Sequence, residues 1–304
     1  MSATPAREDD AAAARAAPSG NALLGISLMM LGIFMFSVND VLGKWLVATF
    51  TVAQVLLIRS FAALVVLVPF VWREGLGNIL ALPKPGLQLI RVVCATLEVV
   101  FFYWAVIGLP LADVVTYYLA GPIYVTALSA LFLREKVGWR RWTAVFVGFV
   151  GVLIALRPSA ATFDVHALVA LLGSIFFALL MITTRHLRGT SDTALVFWQT
   201  LGALAFGIVF SPFGWVPPAA GDFALLSLLG VVALAAHVCV TRALKHASAS
   251  VLAPYQYMLI VWAVVLGYLV FGDIPDAAML TGAAIIIAAG LFIFLREQAL
   301  QRRR

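Results

Sequence analysis

Ten apolar runs, each close to the length that crosses a bilayer as a helix, follow one another with short connectors between them. They fall at residues 22–43, 52–72, 87–107, 111–133, 142–156, 166–184, 194–213, 223–243, 249–271 and 277–295. A hydrocarbon layer about 30 Å thick takes about 20 apolar residues as a helix. Lipid offers the backbone no hydrogen-bond partner, so each run must satisfy its own peptide groups by coiling. The predicted fold class is therefore all-α and integral to the membrane, with ten transmembrane helices. A soluble chain could not hide this much apolar surface, since 63% of the residues are hydrophobic and only 11% charged, against about 25% charged in ordinary soluble domains. The fifth run is the shortest, and Arg140 and Arg141 lengthen it by snorkelling toward the aqueous boundary.

The fourth and fifth runs form a hairpin around the charged connector Arg134-Glu135-Lys136-Val137-Gly138-Trp139-Arg140-Arg141. A related stretch, Ala249 to Glu297, recurs at an offset of about 138 residues. At that offset Tyr117 falls on Tyr255, Glu135 on Asp273, and the small pair Ala144/Gly151 on Gly282/Ala289. The chain is thus a tandem repeat of five spans each. It divides into a disordered polar tail at 1–21, a first repeat at 22–158, a second at 166–297 and a basic tail at 298–304. The first run is too long for a signal-peptide core and is expected to stay as a span.

Charge placement orients the chain. With the amino terminus in the cytoplasm, seventeen of the twenty Lys and Arg residues lie on that side, Arg91, Arg185 and Arg188 among them. Lys44 and Arg157 lie opposite, and Arg59 lies within a span. Both termini are expected in the cytoplasm, and the basic excess faces lipid headgroups rather than nucleic acid. Five is an odd number, so the second repeat enters the membrane inverted relative to the first. Inverted pairs enclose a midplane site that can open to either face, the architecture of secondary transporters.

Several segments together resemble the drug/metabolite transporter superfamily and its EamA-type branch. They are Arg59-Ser60-Phe61, LPLADVVTYYLAGPIYVT running on to LREKVGWRRW, GFVGVLIALRP, and ASASVLAPYQYMLIVWAVVLGYLVFGDIPD. The resemblance covers about residues 22–297. It implies a basket of ten helices around a central cavity, moving small organic metabolites across an inner membrane. Members include YddG-like exporters of aromatic and other amino acids, and carriers of riboflavin, S-adenosylmethionine and purine-type metabolites.

Ionisable groups within a membrane cost about 2.5–3.5 kcal/mol each at a helix centre, so each implies a partner or a wet cavity. Glu98 lies near the middle of the third span, just before Phe101, Phe102, Tyr103 and Trp104. It is a candidate for binding a substrate amine or exchanging a proton, and equally for a structural pairing with Arg59. Arg59 and Asp40 are the other candidate coupling or structural charges. His237, in the eighth span, lies within one residue of the position that repeats Glu98, which would bring both to one cavity; a satisfied core histidine is the alternative.

The fourth and ninth spans carry aromatic faces. Tyr117 and Tyr124 share one, Tyr255 and Trp262 the other, at i, i+4, i+7 spacing. With Phe102 and Gln256 they are candidate substrate contacts, and helix packing is the competing role. Pro122 and Pro254 are expected to kink these two spans. Gly148, Gly151, Gly282 and Gly290 suit close helix approach. Cys94 and Cys239 fall inside spans and read as small buried residues. No GxxxxGK[ST], HExxH or GxSxG motif occurs, so no cofactor, metal or catalytic role is expected. Transport must run on a gradient, with protons as the candidate coupling ion, or on exchange. The expectation is a secondary carrier, with aromatic or other amino-acid export leading and uptake of riboflavin, S-adenosylmethionine or a nucleoside-like compound as the alternative. A membrane enzyme or scaffold is the reading outside that class. Monomer and homodimer are both open.

Overall fold

In the computed structural model, residues 20–121, 123–124, 139–156, 164–187, 189–246 and 252–301 are described, and all of their regular structure is helical. The helices are α1 (Gly20–Val47), α2 (Val52–Glu74), a short α3 (Leu76–Leu80), α4 (Pro85–Gly108), α5 (Leu111–Leu119), α6 (Trp139–Leu156), α7 (Val165–His186), α8 (Asp192–Phe210) and α9 (Ala220–His246). A 3-10 segment, Ala253–Tyr257, then leads into α10 (Met258–Phe271), and α11 (Ala277–Gln301) closes the chain. Six of these helices are long and apolar enough to cross a membrane, and three shorter apolar ones, 142–155, 255–271 and 277–292, accompany them. The described part of the fourth span, α5, completes the ten. Helix α11 runs on through residues expected in the basic tail, and α1 begins just inside the expected amino-terminal tail. Pro122, residues 125–133 of the fourth span and the connector residues 134–138 lie outside the described residues.

The connectors act as sharp stops with their own caps. Thr51 caps α2 by accepting from the Gln54 backbone N–H, and Ser191 caps α8 by accepting from the Ala194 N–H. Both caps fill helix donors that would otherwise go unpaired. They stand 140 residues apart (191 − 51), which fixes the register between α2 and α8. Pro254 sits in the first turn of the 3-10 segment rather than in the interior of a continuous α-helix, where its missing N–H costs least.

The packing obeys an approximate two-fold symmetry. Helix α1 packs on α9 as α7 packs on α4, and α1 touches α10 as α7 touches α5. Helices α2 and α8 pair with each other across the axis, as do α6 and α11, and α5 and α10. Small residues let two of these pairs approach closely. A Cβ on Gly282 would stand 2.7 Å from the Gly151 carbonyl oxygen, so α6 and α11 meet backbone to backbone at two of the glycines expected to permit close helix approach. A Cβ on Gly230 would collide with the Arg59 backbone, which draws α9 against α2 more tightly than α8 sits against α4. At the position repeating Gly230 on α4, Val92 fills the same kind of space and meets Gly202 of α8 instead.

Cross-ties mark the two ends of the bundle. At the far end from the start of α1, Lys44 pairs with Asp273 at 2.7 Å and lies over the Phe271 ring. There too the Gln54 amide donates to the Val216 carbonyl at 2.6 Å and accepts from its N–H at 3.0 Å. At the near end the Trp198 indole N–H donates to the Ile79 carbonyl at 3.0 Å. Each tie joins segments that a strictly alternating ten-span path puts at the same end.

Candidate substrate-binding site

The polar interior gathers between α2, α4, α8 and α9. Its walls are formed by Arg59, Ser60 and Ala63 of α2, Ala95 and Val99 of α4, Gln199, Thr200 and Ala203 of α8, and Gly230, Ala233 and His237 of α9, with Val196 and Leu234. The walls repeat. In the 140-residue register Arg59 is equivalent to Gln199, Ser60 to Thr200 and Ala63 to Ala203. In the 138-residue register Ala95 is equivalent to Ala233 and Val99 to His237. A site built from equivalent positions of inverted halves lies on their common axis, the only place both halves reach equally. Its free volume is about 50 Å³, room for a water or two. Metabolite sites run to about 300–1,000 Å³, so the cavity in this arrangement of the helices is too small to hold one.

Arg59 lies seven residues into α2 (59 − 52), about 10 Å below that helix end. Its guanidinium donates to the Tyr103 hydroxyl of α4 and sits beside that ring. Asp40 of α1 and Glu98 of α4 both stand within electrostatic range of it. The Asn39 amide donates to Asp40 at 3.3 Å. Glu98 is half-buried, and its backbone carbonyl accepts from the Tyr118 hydroxyl of α5 at 3.0 Å. The structure thus brings the three candidate charges into one cluster. Phe102 packs edge-on against both Tyr103 and Tyr118 and is buried in the main apolar core. His237 faces the cavity with more than a third of its surface free and meets Phe36 edge-on at 4.9 Å. Its counterpart is Val99, so Glu98 sits one position further round the helix and outside the cavity wall.

The two aromatic faces part company. Tyr117 is buried in the main apolar core, and Tyr124 packs at that core's edge. Tyr124's hydroxyl is buried and makes no hydrogen bond within normal geometry among the described residues, while the nearby Ser174 hydroxyl donates to the Leu171 carbonyl at 2.7 Å. Tyr255 and Trp262 pack with Met29, Ile33 and Leu252 in a separate cluster between α1 and α9, and Trp262 meets Phe34 edge-on. The Trp262 indole N–H is likewise buried and unbonded among the described residues. Gln256 is exposed. None of these residues lines the cavity between α2, α4, α8 and α9.

Arg91 departs from its expected place on the membrane surface. It is 5% exposed and clamps three elements, donating to Thr184 Oγ1 of α7 at 2.8 Å, to the Leu195 carbonyl at 3.1 Å and to Gln199 Oε1 of α8 at 3.2 Å. Ser60, Gln199 and Thr200 have no signal of their own in the sequence, being uncharged residues in apolar helices. The register of the two hydroxyl caps, which sets Arg59 opposite Gln199, is the signal that finds them.

Ten apolar helices in two inverted halves around one polar cavity define a multi-pass membrane transporter. The chain belongs to the EamA-like transporter family, whose model matches residues 23–157 and 165–295. It is similar to an S-adenosylmethionine uptake transporter of Rickettsia felis, 28% identical over 93% of this chain and 96% of that one. It is also similar to a pseudopaline exporter of Pseudomonas aeruginosa, 30% identical over 87% of this chain and 94% of that one, and to a riboflavin transporter of Vibrio cholerae, 29% identical over 82% and 85%. A solved crystal structure shares the fold at a TM-score of 0.56 and 14% identity, covering 93% of this chain and 99% of the other.

Proposed function

We propose that this transporter carries a zwitterionic metabolite with an amino-carboxylate head, with S-adenosylmethionine as the leading example and free amino acids as the wider class. One observation carries the reading: a guanidinium at the cavity wall stands within electrostatic range of two carboxylates, a combination that suits the two opposite charges of such a head. Arg59 takes the carboxylate, in the charge-assisted bonds guanidinium geometry favours, and Glu98 with Asp40 takes the amine. His237 and Thr200 offer neutral polar contacts to the remainder of the cargo. The S-adenosylmethionine and pseudopaline relatives lend this reading support.

The carrier works by alternating access, the two repeats rocking about the shared axis, and Glu98 couples transport to protons. Both termini face the cytoplasm of a bacterial-type inner membrane, so the Lys44–Asp273 end faces outward. Residues 22–158 and 166–297 act as the two moving halves. Radiolabelled flux into proteoliposomes holding the pure protein tests the cargo: uptake of S-adenosylmethionine competed by amino acids but not by riboflavin is expected, and the reverse competition would replace this reading with a flavin carrier. Reporter fusions test the orientation, with cytoplasmic signal expected after Leu187 and Arg304 and periplasmic signal near Gly221.

A further inference from the structure

We propose that Gln199 is a specificity-determining residue for the cargo's carboxylate, and that Arg91 is the positioning residue that makes it so. The inference rests on the amino-carboxylate reading above and deepens it. An arginine side chain carries five N–H donors and no acceptor. Whatever bonds to Arg91 must therefore present oxygen to it, and the Gln199 amide does so at 3.2 Å. That choice turns the amide NH₂ away from Arg91, on a residue that lines the cavity.

Arg91 itself has little freedom to release this hold. It is buried, and its Nε–H and one Nη1 N–H are committed to Thr184 and to the Leu195 carbonyl. Burying a cation among neutral acceptors is costly, so the cost is met by three bonds that lock one geometry. The result is a cavity with a donor on each of two equivalent positions, Arg59 on α2 and Gln199 on α8. A carboxylate has two oxygens, and these two donors approach from opposite walls. A freely turning amide would present its oxygen part of the time and repel the same group.

Arg91 does not line the cavity, so its effect on cargo passes entirely through Gln199. A merely structural clamp between α4, α7 and α8 would instead influence every cargo alike, through yield or through the rate of helix movement.

The test uses full-length protein in proteoliposomes and two probe pairs, S-adenosylmethionine against its decarboxylated form and tryptophan against tryptamine. Gln199→Glu keeps the side-chain volume and gives Arg91 a carboxylate to hold, but presents no donor to cargo. It is expected to raise KM for the acid of each pair about tenfold or more, the scale of one charge-assisted hydrogen bond, and to leave KM for the amine unchanged or lower. Arg91→Lys is expected to raise the acid's KM several-fold while Vmax and the amine's KM stay near wild type. Parallel changes for both members of a pair, or a change in Vmax or folded yield alone, would overturn the proposal. Where Arg91→Lys does not fold, Gln199→Glu decides by itself. Absence of wild-type flux for every acid would instead sink the amino-carboxylate reading, and this inference with it.

Discussion

The two walls of the cavity share a scaffold and differ in charge. On the first repeat's side stand Arg59, bonded to the Tyr103 hydroxyl, and within its electrostatic range Glu98 and Asp40. On the second repeat's side Gln199 stands at the position equivalent to Arg59 and Ala236 at that of Glu98, while Thr200 and His237 repeat Ser60 and Val99. Symmetric packing makes two arrangements of the halves similar in energy, which alternating access requires. A symmetric set of charges would serve recognition badly, because two cations facing one another across 50 Å³ would repel in a medium of low dielectric. Packing has kept the symmetry, and the side chains that line the cavity have broken it.

Moving the charge between walls gives the largest expected effect. Arg59→Met should cut flux of amino-carboxylate cargo by about a hundredfold, the upper range for a charged hydrogen bond. The exchange Arg59→Gln with Gln199→Arg should restore part of it, because the two positions are equivalent. Flux in proteoliposomes reads both, and full activity of Arg59→Met would remove the guanidinium from recognition. Next comes Glu98→Gln, which fills the same volume without titrating. Accumulation driven by a pH gradient should fall to the level seen without one, while exchange of internal for external cargo continues. Retained gradient-driven accumulation would take Glu98 out of coupling.

Smaller effects probe the packing difference. Gly230→Ala forces a methyl onto the Arg59 backbone and should cost about 1–3 kcal/mol of stability, whereas Gly77→Ala meets open space and should be nearly neutral; denaturant unfolding in detergent compares them. Equal stability of the two variants would mean that α2 and α9 do not meet this closely. Least affected is the far-end tie, where Lys44→Met should cost no more than about 1 kcal/mol, since both partners keep solvent contact, at 14% and 25% side-chain exposure. The sharper readout is labelling of a cysteine placed in the cavity from the far side, which should speed up as the tie is lost.

Residue by residue, legibility followed cost. Arg59, Glu98 and Asp40 stand out in the sequence because a charge in an apolar helix is expensive, and they do converge. Gln199 and Thr200 cost little in a helix and leave no mark. Arg91 lies six residues into α4 (91 − 85), within snorkelling reach of the boundary, and nothing local tells whether its face of the helix meets water or α7 and α8. The tyrosine and tryptophan faces are real, but the same periodicity serves a core and a cavity. Only the neighbours decide, and Tyr255 and Trp262 found theirs in α1 and α9.

The sequence by itself determined the class of fold, because lipid leaves the backbone of an apolar run no choice but the helix. It determined the repeat as well, since five spans and matched hairpins recur in register. The tertiary structure alone decided which faces of those helices look inward. A rotation of 100° separates neighbouring residues on a helix, so Val99 and Glu98 part ways at the cavity wall although they adjoin in the chain, and that angle is set by the helices packed around them.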